Sequence, residues 1–263
     1  MGIVNLTPDS FSGDGLGAAP VAAALAHARA QLEAGADMLD LGAESSRPGA
    51  PVVSAEDELA RLLPVLREVV TWGVPVSVDT YKPEVMAAAL AAGCSMINDI
   101  SGMRDPEALA AVAGTDCGIC LMHMQGVPGS MQDAPSYGDV VGEVNATLLA
   151  AVARCREAGI SDARLVLDPG FGFGKTLAHN FSLFRGLTVT AALGWPVLAG
   201  VSRKSMLGAV TGRPVGERLS ASVAAAVLAA QKGAAILRVH DVAATCDALK
   251  VLRAVEECGA DNG

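Results

Sequence analysis

Polar and charged side chains recur in this sequence where short apolar runs end. They include carboxylates, amides, imidazoles, an ammonium and a guanidinium, which are groups capable of binding and catalysis. One of them alone would be interpreted as a helix cap or a turn, because Asp and Asn often bond their own backbone at such places. All of them together predict an active site. They are Asn5, Glu44, Asp79, Asn98 with Asp99, His123, Asp168, Lys204, and Arg238 with His240.

The apolar runs that precede these side chains have the character of buried strands. Short runs that are apolar throughout are typical of parallel strands covered on both faces. In a barrel of such strands the carboxyl ends share one rim, where the active sites of this fold lie. The predicted strands are Ile3–Leu6, Met38–Gly42, Pro75–Asp79, Ser95–Asn98, Gly118–Met122, Leu165–Leu167, Val197–Val201 and Ile236–Val239.

Stretches with helical periodicity separate the strands. Strands that alternate with helices form a parallel α/β sheet, which is either a closed barrel or doubly wound. A doubly wound dinucleotide fold requires a Gly-rich turn after its first strand, whereas residues 7–12 read Thr-Pro-Asp-Ser-Phe-Ser. We therefore predict a (β/α)8 TIM barrel that spans residues 1–263 as a single domain. The predicted helices are Val21–Ala34, Ser54–Val70, Pro83–Ala92, Pro106–Ala113, Gly142–Ala158, His179–Leu193, Val215–Gln231 and Ala243–Glu257.

Composition excludes several classes of partner. The 263 residues are 51% hydrophobic, and 19 Lys and Arg against 28 Asp and Glu give a formal net charge of −9. No run of five or more basic residues occurs, which argues against nucleic acid as a partner. The lack of a signal peptide and of an apolar run long enough for a bilayer predicts a cytoplasmic protein with no membrane partner. An anionic substrate must then be met by a few local cations.

Two local patterns are interpreted as structural. Cys117 and Cys120 form a lone C-x-x-C within a predicted strand. A redox or zinc role would need a helix start or a second ligand pair, so we predict buried apolar cysteines. The segment Gly170–Thr176 looks like a phosphate loop, but that pattern requires a Gly where this chain has Pro169.

Seven short motifs, in order along almost the whole chain, resemble those of the dihydropteroate synthases. The first runs from Gly2 to Ser12 and the second from Glu44 to Gly49. Ser46 stands where members usually have Thr, and residues 12–15 read Ser-Gly-Asp-Gly where many members have Ser-Asp-Gly-Gly. The remaining motifs are Val78–Thr80, Asn98–Ile100, Asp168–Lys175, Ser202–Ser205 and Arg238–Val242.

The resemblance implies a transferase of folate biosynthesis. Its expected reaction joins 6-hydroxymethyl-7,8-dihydropterin diphosphate to p-aminobenzoate and gives 7,8-dihydropteroate and diphosphate. An aryl amine is nucleophilic without an activated side chain. The demanding parts are the charge of the leaving group and the cation that develops at the pterin methylene. The resemblance also implies inhibition by sulfonamides, and a homodimer formed through helices remote from the barrel mouth.

The pterin site implied by the resemblance combines polar groups with apolar walls. A pterin edge presents amide-like donors and acceptors, which suit carboxylate, amide and ammonium groups. Catalytic roles are expected for Asp79, Asp168 and Lys204, and the two carboxylates would also stabilise the developing cation. Met122 would form a wall of the pocket, or it is simply a core residue that fills a gap. The expected pterin-binding residues are Asp79, Asn98, Ile100, Met122, Asp168, Phe173 and Lys204.

The diphosphate requires cations and a metal ion. Arg238 offers a planar fork to phosphate oxygens, and His240, two residues further along a strand, faces the same side. Asn5 offers an amide oxygen to Mg2+, the expected cofactor, which keeps most of its waters and offsets leaving-group charge. The expected diphosphate-binding residues are Asn5, Ser46, Arg238 and His240, with Asn5 as the metal ligand.

The p-aminobenzoate site is expected between the end of the seventh strand and the two long loops near the N-terminus. Ser205 lies where a helix would begin after that strand, and a helix N-terminus with a hydroxyl suits a carboxylate. The other expected p-aminobenzoate-binding residues are Phe11, Ser46, Arg47 and Pro48.

Two rival functions share parts of this pattern. A pterin-binding methyltransferase domain would keep the pterin groups but would not need Asn5, Arg238 and His240 as a diphosphate site. A non-catalytic pterin-binding paralogue would lack some of the groups in these roles. Product formation from the two substrates with Mg2+ distinguishes the three.

Overall fold

Eight short strands alternate with helices in the described part of the chain, as the sequence predicts. The computed structural model describes residues 1–7, 18–45, 50, 52–127 and 129–260. Each predicted apolar run overlaps one strand, and the ends differ by a few residues at most. The strands are β1 (Gly2–Asn5), β2 (Leu39–Gly42), β3 (Val76–Asp79), β4 (Met96–Asp99), β5 (Gly118–Met122), β6 (Leu165–Asp168), β7 (Leu198–Ala199) and β8 (Ile236–Leu237).

The strands close into a barrel. Strands β1 to β6 pair in parallel in sequence order, and β7 pairs in parallel with β8. Leu167 bridges to Val197, and Gly2 bridges to Val239, so the two sets of strands are joined on both sides. The Ile3 amide donates to the Val239 carbonyl at 3.0 Å across the second junction. The predicted (β/α)8 barrel is therefore confirmed.

An apolar layer fills the lower part of the barrel interior. Side chains along a strand alternate between its two faces. Leu39 and Leu41 of β2 pack in the main core with the helices, whereas a separate cluster, the floor cluster, lies within the barrel. The floor cluster consists of Met1, Met96, Cys120 and Leu198, with Met38, Val166 and Ile236 packed against it.

A polar layer lies above the floor cluster. Two residues further along four of the same strands, the inward side chains change from apolar to polar. Because strand side chains repeat every second residue, these groups point into the same cavity, closer to the carboxyl ends of the strands. They are Asp40, Asn98, Asp168 and Arg238.

The predicted cysteine interpretation is also confirmed. Cys117 is 7% exposed and Cys120 is fully buried, and both are free thiols. Burial raises the pKa of the Cys120 thiol well above its ordinary value. An un-ionised, buried thiol is a poor nucleophile and a poor metal ligand.

The helical layer largely matches the prediction. None of the helices in the described part of the chain is long and apolar enough to cross a membrane. The helices are α1 (Ala18–Glu33), α2 (Ala55–Val69), α3 (Pro83–Ala91), α4 (Pro106–Ala113), α5 (Val140–Glu157), α6 (Leu177–Arg185), α7 (Leu187–Ala191), α8 (Ser205–Thr211), α9 (Leu219–Gln231) and α10 (Val242–Ala260).

Two predicted helices differ from the structure. The stretch predicted as His179–Leu193 forms two helices that meet at Gly186, where a Cβ would stand only 2.7 Å from Val141 Cγ2. The close approach of α5 at this point leaves no room for a side chain. The stretch predicted to begin at Val215 opens with a 3-10 turn, Val215–Glu217, and α9 follows it.

Candidate active site

An arginine paired with two carboxylates lies inside the mouth of the barrel. Arg238 follows β8 and donates from Nε to Asp40 Oδ2 at 2.6 Å and from Nη2 to Asp79 Oδ2 at 2.8 Å. Asp40 lies on β2 and is fully buried, and Asp79 ends β3. With both carboxylates ionised, this three-residue cluster carries one net negative charge.

The protonation of Asp79 responds to this environment. The pKa of Asp79 is raised to about 7, mainly by burial; the Arg238 guanidinium opposes this shift, and the nearby carboxylate of Asp40 adds to it. The carboxyl group is thus poised to change charge near neutral pH, as catalytic and ligand-binding carboxylates often are.

A lysine and a carboxylate face each other beside this cluster. Asp168 ends β6, and its Oδ1 accepts a hydrogen bond from the Gly170 amide at 2.7 Å. Burial raises the pKa of Asp168, and the ammonium of Lys204 opposes the shift. Burial lowers the pKa of Lys204 to about 8, and the carboxylates of Asp168 and Asp79 oppose that shift. The sequence-predicted catalytic residues are thus brought within electrostatic reach of one another.

The Lys204 ammonium is held by the loop that follows β6. Its Nζ donates to the Phe171 carbonyl oxygen and lies 4.7 Å from the centroid of the Phe173 ring. A cation over an aromatic face is attracted by the ring quadrupole. Lys204 and Phe173 therefore form adjacent parts of one surface.

Asn98 contributes an unsatisfied acceptor to the same cavity. It lies on β4 and is 4% exposed, and its Oδ1 has no hydrogen-bond partner among the described residues. An unsatisfied buried acceptor costs about 1–3 kcal/mol. A ligand that donates a hydrogen bond here would recover that free energy.

Apolar side chains stand beside these polar groups. Ile100 and Met122 form one buried cluster with Met124 and Met131, against which Phe173 and Tyr81 pack. The structure thus brings three of the expected pterin-binding residues, Ile100, Met122 and Phe173, into one cluster. Such a wall suits a flat heterocycle.

A buried lysine in the following loop was missed by the sequence reasoning. Lys175 Nζ bonds to His123 Nδ1 at 2.9 Å, to the Gly170 carbonyl at 2.8 Å and to the Phe173 carbonyl at 2.9 Å. Burial lowers the pKa of Lys175 to about 7 and the pKa of His123 to about 3. This lysine binds its own loop. The only sequence signal for it was a Lys within a Gly-rich segment.

The same loop depends on a glycine. Gly170 has a φ of +68°, and a Cβ there would stand 1.9 Å from the His123 carbonyl oxygen. Both the left-handed backbone and the close approach require Gly. The loop that carries Phe171 and Phe173 is therefore tightly seated against the end of β5.

The remaining predicted residues lie around this cavity. His240 contacts Ser202 through its amide at 3.2 Å and through Nδ1 at 3.1 Å. Ser205 is exposed and begins α8, directly after Lys204. Asn5 ends β1 beside Gly42 of β2 and is partly exposed.

Three other rim residues are used by the fold itself. Glu44 forms an ion pair with Lys82, which also pairs with Glu58 at 2.5 Å. Asp99 accepts hydrogen bonds from the amides of residues 101 and 103, and His123 bonds to the buried lysine described above. None of these three residues is among those expected to bind a substrate or the metal ion.

Asp40 was absent from the sequence-based site. It is the partner of Arg238, and its second oxygen, Oδ1, has no hydrogen-bond partner among the described residues. The available signal was a single carboxylate between two leucines in a predicted buried strand. Phe11, Ser46, Arg47 and Pro48 lie outside the described residues.

The closed barrel and its buried carboxylates and lysine at the strand ends have the arrangement found in (β/α)8-barrel enzymes. Residues 1–240 match the model of the pterin binding enzymes. The chain is 54% identical over 259 residues to a dihydropteroate synthase of Neisseria meningitidis serogroup C, covering 97% of this chain and 92% of that relative. The chain therefore belongs to the dihydropteroate synthases of the pterin-binding enzyme family.

Two solved structures are similar in fold and sequence. One is a dihydropteroate synthase of Xanthomonas albilineans with 4-aminobenzoic acid, at a TM-score of 0.91 and 52% identity, which covers 97% of this chain and 92% of that one. The other is a dihydropteroate synthase of Burkholderia cenocepacia complexed with 7,8-dihydropteroate, at a TM-score of 0.91 and 49% identity, covering 99% and 92% of the two chains.

Proposed function

We propose that this enzyme joins 6-hydroxymethyl-7,8-dihydropterin diphosphate to p-aminobenzoate in the cytoplasm, giving 7,8-dihydropteroate and diphosphate for folate biosynthesis. The observation that carries the proposal is the buried polar layer. Asn98 and Asp168 belong to that layer, Asp79 pairs in register with Asn98, and Lys204 interacts electrostatically with Asp168 and Asp79. The side-chain oxygen of Asn98 has no hydrogen-bond partner among the described residues.

The pterin ring is assigned to this polar layer. Asn98 Oδ1 and the carboxylate of Asp168 accept from ring N–H groups, and Lys204 donates to ring acceptors. Ile100, Met122 and Phe173 cover the ring, which is supported by their position in one apolar cluster.

Catalysis is assigned to electrostatics. Bond breaking at the pterin methylene creates positive charge, which fixed carboxylates stabilise without reorganising. Asp168 is buried and the Asp79 side chain is only 14% exposed, so their charges act through a medium that screens them weakly. The aryl amine attacks with its own lone pair, so no protein nucleophile is needed.

The diphosphate is assigned to Arg238 and His240. Asp40 and Asp79 take two of the five N–H donors of Arg238, and the others remain for phosphate oxygens. A guanidinium can donate two parallel hydrogen bonds to a phosphate group. The two carboxylate partners of Arg238 reduce the net positive charge that it offers to the diphosphate. His240 adds a second donor to the diphosphate site. The sequence motif assigns Ser46 to the same site.

Mg2+ is proposed as the cofactor. The described residues contain no group of three or more His, Cys, Asp or Glu side chains placed to hold a metal ion. Mg2+ usually retains several waters and binds through substrate phosphates and one or two protein oxygens, so the amide oxygen of Asn5 fits as a lone protein ligand. When bound, the ion would offset the charge of the leaving diphosphate.

p-Aminobenzoate is assigned to the outer part of the mouth. The Ser205 hydroxyl is exposed beside Lys204 and provides a donor for the carboxylate. α8 has only seven residues, so the hydroxyl matters here more than the helix dipole. Sulfonamides would compete for this place. The sequence motifs assign Phe11, Ser46, Arg47 and Pro48 to the same pocket.

A homodimer is part of the proposal. Apolar side chains on and between α8 and α9 are unusually exposed, and a second copy of the chain would cover them. They are Val210, Val215, Leu219 and Leu228, which are 66%, 54%, 46% and 49% exposed.

The pH dependence of pterin capture follows from Asp79 and Lys204. As pH falls through about 7, Asp79 gains a proton and loses the charge that supports binding and catalysis. As pH rises through about 8, Lys204 loses its charge. We expect kcat/KM for the pterin substrate to peak between these values, as for any acid–base pair. Asp79→Asn should remove the acidic limb and keep the basic limb. An unchanged acidic limb would contradict the role of Asp79.

The proposed function is tested by measuring diphosphate release and dihydropteroate formation together. Both should appear with the two substrates and Mg2+, and dihydropteroate should be absent when p-aminobenzoate is omitted. Chelation of the metal should slow the reaction. Failure to form dihydropteroate under the full conditions would contradict the proposal, and methyl transfer from a methylated tetrahydrofolate would support the rival methyltransferase.

A further inference from the structure

The turn after β7 contains a strained residue. Arg203 has a φ of +58°, and Met103 is the other non-glycine with positive φ in the described part of the chain. An L-residue in this region is strained by contact of its Cβ with the backbone. Such residues persist where the surroundings over-determine them, and they cluster at functional sites.

The backbone of Arg203 is held from both sides. Its amide donates to Ser222 Oγ at 2.9 Å, and its carbonyl accepts from Arg218 Nη1 at 2.9 Å. Ser222 Oγ in turn donates to the Arg218 carbonyl at 2.7 Å. The start of α9 therefore fixes the strained turn.

The side chain of Arg203 reaches the next strand end. Its Nε donates to Asp241 Oδ2 at 3.0 Å, and its Nη2 donates to Asp241 Oδ1 at 2.5 Å. This two-point geometry fixes orientation as well as distance. Asp241 is itself anchored at the start of α10, because its carbonyl accepts from the Thr245 amide at 3.1 Å.

The pair joins the neighbours of two proposed binding groups. Arg203 directly precedes Lys204, and Asp241 directly follows His240. A second contact runs in parallel, because Ser202 Oγ lies 3.1 Å from His240 Nδ1. The two turns are thus connected by two separate contacts.

We propose that the Arg203–Asp241 pair is a positioning latch that keeps Lys204 and His240 at the separation needed to hold the two ends of one substrate together. The inference rests on the proposed function. It adds a role for two residues that contact neither substrate in the scheme above.

The latch has a distinctive expected signature. Linked ligand parts bind together far better than separately only while their two sites keep the matching distance. Loosening the latch should therefore weaken the binding of the joined pterin diphosphate more than the binding of either part alone. A residue that merely stabilises the fold would affect all ligands alike, or none of them.

The experiment compares Arg203→Gly, Asp241→Asn and the double variant with the unaltered enzyme. Glycine tolerates the left-handed turn, so the first change removes the ion pair without adding backbone strain. Dissociation constants are measured for pterin diphosphate, for 6-hydroxymethylpterin and for inorganic diphosphate. The control is Asp162→Asn, because Asp162 has the same two-point pairing with Arg156, at 2.8 and 2.5 Å, on the surface.

Each latch variant should raise the dissociation constant of pterin diphosphate roughly tenfold, and that of each separate part less than about threefold. The double variant should bind pterin diphosphate no more weakly than the single variants, because each single substitution already removes the same interaction. The Asp162→Asn control should bind all three ligands with unchanged affinity. Unchanged binding of pterin diphosphate in the latch variants, or equal losses for all three ligands, would overturn the latch. Absence of pterin binding in the unaltered enzyme would instead overturn the proposed function.

Discussion

Replacing Lys204 by methionine should lower kcat/KM for the pterin substrate by roughly a thousandfold, or about 4 kcal/mol of transition-state stabilisation. Methionine keeps most of the length of the side chain but removes the ammonium group. The pterin loses a charged donor, and the buried Asp168 carboxylate loses the cation that opposes its protonation. Asp168 then tends to bind a proton, which weakens its own contribution as an acceptor. One substitution thus removes one proposed pterin contact and weakens a second.

The loss should appear in binding as well as in turnover. Titration with 6-hydroxymethylpterin, which lacks the diphosphate, measures the pterin site alone. Lys250→Met is a matched control, because Lys250 is 77% exposed and pairs with Asp247 on the surface. Pterin affinity in Lys204→Met equal to that of the control would show that the lysine has been wrongly assigned.

Of the substitutions described, removal of the Arg238 guanidinium should lower the free energy of unfolding the most. The guanidinium stands between Asp40 and Asp79, both of which it contacts directly. Removing one partner of a buried ion pair typically costs about 3–5 kcal/mol, because a charge is left uncompensated. We expect Arg238→Met to lower the free energy of unfolding by an amount in this range, measured by urea denaturation at neutral pH. Arg213→Met, which breaks an exposed pair with Glu217, should cost less than about 1 kcal/mol.

A second substitution distinguishes charge from packing. Asp40→Asn in the Arg238→Met background removes one of the two uncompensated carboxylates. The double variant should therefore be more stable than Arg238→Met alone. If Asp40→Asn lowers stability further in that background, the carboxylate is not the source of the loss.

Arg238 should also discriminate between ligands. Loss of Arg238 should weaken the binding of pterin diphosphate more than the binding of 6-hydroxymethylpterin, since only the former presents phosphate oxygens. Equal losses for the two ligands would count against the proposed diphosphate contact and would leave Arg238 as a purely structural group.

The strand ends were predictable because their signal is local. A buried parallel strand is apolar, so the first polar side chain after it is visible in the sequence, as at Asp79 and Asp168. The barrel then follows from eight repetitions of this pattern. Knowledge of the fold is enough to place these ends on one rim, but it does not reveal which of the rim residues face one another.

The pairings were hidden because they depend on closure of the barrel. Arg238 and Asp40 are 198 residues apart and meet only when β8 and β2 both flank β1. Lys175 likewise meets His123 across 52 residues. Asp40 lies between two leucines, so its strand resembles an apolar one, and the sequence pattern gives no reason to assign its carboxylate to the site. Long-range charge pairs of this kind have no sequence periodicity.

The errors in the helices have a similar cause. The pattern from His179 to Leu193 is continuous in periodicity, yet the helix is interrupted at Gly186, where α5 approaches closely. The seven-residue α8 is too short to show a helical repeat, although the sequence did predict that a helix would begin at Ser205.

The central claim is that the polar layer of the barrel holds the pterin, with the diphosphate beside it. A crystal structure with pterin diphosphate and Mg2+ tests it most directly. The account predicts the pterin edge at about 3 Å from Asn98 Oδ1, Asp168 and Lys204, with the diphosphate against Arg238 and His240. A pterin found elsewhere, for example in the open cleft beside Arg156 and Trp195, would contradict it.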